Sequence, residues 1–167
     1  PTSKPLEEGK KISFKRTKLD DKFHSEGVGY GDFNNDGRLD IAAGSVWYEC
    51  PTDRSGPWKM HSILEKPKEF DIKTYSDTFM NWAEDLDGDG RQDLIVVDFP
   101  GAPTWWFQNP GAKGGPWARI RMVPVTNNES PQYLDVDKDG KRELIYGDGT
   151  KRLALARPGA TPLVEWS

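Results

Sequence analysis

Apolar residues fall along this chain in bursts of a few positions, bounded by Gly, Pro, Asn and Asp, a pattern that predicts many short strands and no long helix. Residues 1–11 are polar and read as a flexible lead-in. Residues 12–19 (Ile-Ser-Phe-Lys-Arg-Thr-Lys-Leu) alternate loosely, as an exposed strand does. Strands are then expected at Val28–Gly31, after Asp40, at Val46–Tyr48 and over Lys59–Leu64. The same order returns at Phe79–Trp82, Leu94–Val97, Thr104–Phe107 and Ala118–Val123, where even the Gly-Pro-Trp lead into the fourth strand (56–58 and 115–117) repeats. A third pass runs through Gln132–Leu134, Leu144–Tyr146, Leu153–Leu155 and Leu163–Trp166.

Between the first and second strand of every pass lies a carboxylate-rich loop. The second, Asp85-Leu-Asp-Gly-Asp-Gly-Arg-Gln-Asp93, is the fullest; the others run Asp32 to Asp40 and Asp135 to Glu143. Their starts lie 53 and 50 residues apart, and a period near 50 with four strands per unit is the signature of β-propeller blades. The expected fold is therefore all-β, with four-stranded blades over approximately 23–70, 75–124 and 130–167. Propellers close with about four to eight blades, so three predict a partial ring. Either a longer chain supplies further blades or copies associate to cover the open faces.

Acidic side chains at positions 1, 3 and 5 with Gly at 6 aim hard oxygen ligands at one point, which suits calcium. Left bare, such like charges repel one another. The candidate ligands are Asp32, Asn34, Asp36 and Asp40; Asp85, Asp87, Asp89 and Asp93; and Asp135, Asp137, Asp139 and Glu143. The carbonyl of position 7 (Arg38, Arg91 or Lys141) is a further candidate, giving up to three ions. An EF-hand is excluded, because it requires a carboxylate at position 12, where Ala43, Val96 and Tyr146 stand. Metal-free acidic hairpin turns remain the alternative, most of all in the third loop, where Lys138, Lys141 and Arg142 add positive charge.

Three such loops, each followed by an apolar strand, resemble the FG-GAP or VCBS repeats of integrin-like β-propellers over roughly residues 23–167. The runs Trp47-Tyr-Glu-Cys-Pro51 and Trp106-Phe-Gln-Asn-Pro110 are similar to a bacterial VCBS-type subgroup. The resemblance implies calcium held structurally within blades and a secreted, periplasmic or cell-envelope setting. It implies a fold and a metal more strongly than an activity.

Composition narrows the partners. The chain of 167 residues is one ordinary domain by length. It has 27 acidic against 23 basic residues, a net charge of −4 and no long basic block, which disfavours nucleic acid. No 18-residue apolar run predicts a membrane-spanning helix. The single Cys50 cannot form an internal disulfide. No nucleophile elbow, phosphate loop, zinc spacing or dinucleotide fingerprint occurs.

Polar segments precede each first strand, at 24–26, 75–77 and 127–130, and predict a shared rim able to bind a sugar or peptide, or simply hydrogen-bonded turns. His24 and Tyr75 on that rim are the weak catalytic candidates, a base and an acid for a polysaccharide lyase. His61 reads as a packed or surface residue within its strand. Trp47, Trp58, Trp106 and Trp117 recur at matching positions, which favours packing between blades over a sugar platform. The leading expectation is a noncatalytic, calcium-stabilised module that binds carbohydrate or protein. A lyase segment and a purely architectural fragment are the alternatives.

Overall fold

The computed structural model describes residues 13–157. Three antiparallel sheets follow one another along the chain. The first is the meander β1 (Gly29–Gly31), β2 (Asp40–Ala43), β3 (Val46–Glu49) and β4 (Lys59–Ser62). The second repeats it with β5 (Thr78–Glu84), β6 (Asp93–Asp98), β7 (Ala102–Gln108) and β8 (Ala118–Thr126). In the third, β9 (Gln132–Leu134), β10 (Glu143–Gly147) and β11 (Leu153–Ala156) pair in the order β11-β10-β9. The fourth strand expected there, Leu163–Trp166, and the lead-in 1–11 lie outside the described residues. Among the described residues the fold is all-β, with blade-like sheets and no closed barrel; one 3-10 turn, Gly111–Lys113, interrupts the strands.

Residues 13–19 form no strand, contrary to the alternation. No sheet edge receives them; instead Leu19 packs against Ala43, Val46 and Tyr48 on the outer face of the first sheet, and the Tyr48 hydroxyl donates to Asp20 at 3.0 Å.

Because successive side chains point to opposite faces of a strand, each sheet offers one face to the sheet before it and one to the sheet after. Ala42 and Trp47 are paired across β2 and β3. They meet Leu94, Val96 and Phe107 of the second sheet, together with Phe33 and Trp117, in one core. Ile95 and Trp106 point the other way and meet Tyr133, Leu144 and Ala156 of the third sheet in a second core. The recurrent tryptophans thus act as packing residues, and truncating the buried Trp106 to Ala should cost roughly 3–5 kcal/mol. On the outward faces of the two end sheets, Tyr30 of the first is 71% exposed and Leu153 of the third 80%, while Leu19 and Trp58 cover Ala43, Val46 and Tyr48 on the first.

Polar stitches fix the first two sheets together. Asn81, buried, accepts from Gly44 N at 3.0 Å and donates to Gly27 O at 2.8 Å. Asn109 donates to Phe33 O at 2.8 Å and Gln92 O at 2.9 Å. β1 approaches β5 so closely that a Cβ on Gly29 would sit 2.8 Å from Asn81 O, which is why a glycine occupies that strand position.

Candidate functional site

Each acidic loop is built from the same hydrogen bonds. The first carboxylate takes two backbone N–H groups: Asp85 accepts from Asp89 N (3.1 Å) and Gly90 N (2.9 Å), Asp32 from Asp36 N (3.0 Å) and Gly37 N (2.8 Å), and Asp135 from Asp139 N (3.2 Å) and Gly140 N (3.0 Å). The turn needs left-handed backbone twice. Position 6 is Gly throughout, with φ between 81° and 90°; position 4 is Asn35 (57°), Gly88 (74°) and Lys138 (64°). The strained fourth position was not read from the sequence, although an Asn, a Gly and a Lys in register were its trace.

The ninth residue is buried in every loop and acts as a bracket. Asp40 accepts from Phe33 N (3.0 Å) and Cys50 N (2.8 Å), and Asp93 from Leu86 N (3.2 Å) and Asn109 N (2.7 Å). It thereby ties the loop to the β3–β4 or β7–β8 connection. Glu143 Oε2 accepts from Val136 N at 2.9 Å, while its Oε1 is buried with no hydrogen-bond partner among the described residues.

Two loops bring three carboxylates together. Asp85, Asp87 and Asp93 each place an oxygen within 4.8 Å of the others, and so do Asp135, Asp137 and Glu143. Either set could hold a metal ion. The first loop forms no such carboxylate trio, because its third position is Asn34. The fifth-position acids Asp36, Asp89 and Asp139 stand outside the trios. Asp36 and Asp89 pair with the guanidinium groups of Arg38 and Arg91, and each of the three accepts the backbone N–H of position 7, Arg38, Arg91 or Lys141.

Electrostatics follow burial. Burial, with Asp87 adding repulsion, pushes the Asp93 carboxyl up to about 7, against the pull of the Asn109 and Leu86 N–H groups. Asp40 is raised for the same first reason. In the third loop Arg157 donates to Asp137 Oδ2 at 2.9 Å and holds that carboxyl below its ordinary range; Arg157 Nε also lies 4.0 Å from Glu143 Oε1. A cation from the chain itself therefore already faces this trio.

Residues 85–146 match the FG-GAP-like repeat family. The FG-GAP-like stretch begins at the first carboxylate of the second loop, spans β6 to β9 and takes in the third loop, so both carboxylate trios lie inside it. Comparison with curated proteins and with solved structures returned no match.

Meander topology puts the polar segments before each first strand at the end opposite the acidic loops. Glu26 and Ser76 exchange hydrogen bonds there, each N–H reaching the other's side-chain oxygen at 3.1 Å, and Asn128 Oδ1 accepts from Gly147 N at 2.7 Å. His24 is buried, with Nδ1 2.5 Å from Lys68 O and Nε2 3.2 Å from Asp20. Both of its ring nitrogens are engaged. Tyr75 is 68% exposed and packs edge-on with Phe99, beside a depression that Phe23 and Glu26 also line. Among the described residues, no helix is long and apolar enough to cross a membrane.

Proposed function

We propose that this chain is a calcium-stabilised, noncatalytic binding module of β-propeller type, borne by a secreted or envelope bacterial protein, whose open end faces meet further blades. The observation that carries the reading is the convergence of Asp85, Asp87 and the buried Asp93 within 4.8 Å, in a loop pinned between two core strands. A hard divalent cation takes several carboxylate and carbonyl oxygens and favours such a cluster. Binding only the folded state, it would add stability that grows with the logarithm of its concentration over its dissociation constant. Asp135, Asp137 and Glu143 offer a second such cluster, which Arg157 already faces.

Catalysis draws no support from His24, whose ring is buried and doubly engaged. The test is a thermal melt with calcium and with excess chelator, paired with metal analysis of the purified chain. Calcium should raise the melting temperature, and Asp85→Ala should abolish most of the rise. Equal melts in calcium and chelator, with no bound metal, sink the proposal.

A further inference from the structure

A cleft of about 610 Å³, of the size that takes small organic ligands, opens between the first two sheets beside the acidic loops. Trp47 and Trp117 line it, together with His61, Glu49, Ser62 and Asn34. The imidazole of His61 lies flat on Trp47, with ring centroids 4.1 Å apart and planes 8° from parallel. One face is thus covered, and 28% of the His61 side chain stays exposed where it lines the cleft. Glu49 Oε2, 2.8 Å from His61 Nε2, fixes the plane of the ring.

The charges around this plane are already balanced. Glu49 meets His61 and Lys59, the latter at 3.7 Å, and Asp89 meets Arg91. An anionic ligand would add negative charge beside two carboxylates whose cations are engaged. A flat ring with hydrogen-bonding groups of both kinds around it matches a molecule with one apolar face and a rim of hydroxyls.

We propose that this cleft binds a neutral saccharide, with one pyranose ring stacked on the free face of His61 and its hydroxyls meeting Glu49 and Asn34. The proposal rests on the binding-module reading and supplies its ligand class and site. Calorimetric titration in calcium with the hexasaccharides of cellulose, starch, chitin and polygalacturonate tests it. At least one neutral hexasaccharide should bind. His61→Ala should weaken that binding about tenfold or more, His61→Phe should retain it by keeping a flat ring, and Tyr75→Ala at the opposite end should leave it unchanged. Melting temperatures of each variant show that it folds, and Glu49→Gln provides a second probe should His61→Ala not fold.

Binding of polygalacturonate alone, binding lost in Tyr75→Ala but kept in His61→Ala, or no neutral binding up to millimolar concentration each overturns the proposal. The calcium-dependent shift in melting temperature, read on the same preparation, decides the underlying reading separately.

Discussion

Burial of Asp93 makes stability depend on pH in a direction that a bound cation should change. Its carboxyl is raised from 3.8 to about 7 in the fold. Between those values the native state holds a proton that the unfolded chain has released, so the free energy of unfolding falls as pH rises. The loss is absent below about pH 4 and complete above about pH 7, and three units at about 1.4 kcal/mol each set it near 4 kcal/mol. Asp40, Glu84 and Asp98 are also raised by burial and act in the same direction. A divalent ion among Asp85, Asp87 and Asp93 would replace that proton with a compensating charge and flatten the slope. Urea titrations from pH 5 to 8, in chelator and in calcium, measure both curves. In chelator, stability should drop by a few kcal/mol toward pH 8; in calcium, most of the drop should vanish, and Asp93→Asn should shrink it even in chelator. Stability that is flat or rising with pH in chelator would refute the argument, as would a slope indifferent to calcium.

The third loop should bind metal more weakly than the second because Arg157 occupies its approach, so Arg157→Gln should tighten the weaker of two calcium sites in a calorimetric titration. Removing left-handed freedom at Gly140 (φ 90°) with Ala should cost about 1–2 kcal/mol, although nothing blocks the added Cβ; Lys138→Gly, which relieves a φ of 64°, should stabilise by under about 1 kcal/mol. Chemical denaturation resolves both. Gly29→Ala forces a Cβ to within 2.8 Å of the Asn81 carbonyl and should destabilise by about 1–3 kcal/mol, with the loss read as a lower denaturation midpoint.

Period and local chemistry were legible in the chain itself. Asp-x-Asp-x-Asp-Gly favours a tight turn bristling with oxygens and the short apolar runs on either side favour strands, so the repeated units and their acidic loops followed from nearest neighbours in sequence. Alternation alone could not decide what residues 13–19 do, because a strand exists only where an edge is free to pair with it; here Leu19 found an apolar face instead. The Trp positions announced packing, whereas which sheet each Trp faces was set by strand register, which turns Trp47 toward the second sheet and Trp106 toward the third. The ninth acids all read as ligands, with Glu143 the longer one. Contacts distant in sequence made Asp40 and Asp93 brackets on Cys50 and Asn109 and set one Glu143 oxygen facing Arg157 instead. His61, read from the sequence as a packed or surface residue within its strand, became one wall of a cleft because stacking two sheets leaves a gap where their connections diverge. Sequence dictated what depends on neighbours along the chain; tertiary structure decided what depends on neighbours across sheets, since burial and pairing are properties of a place and not of a residue.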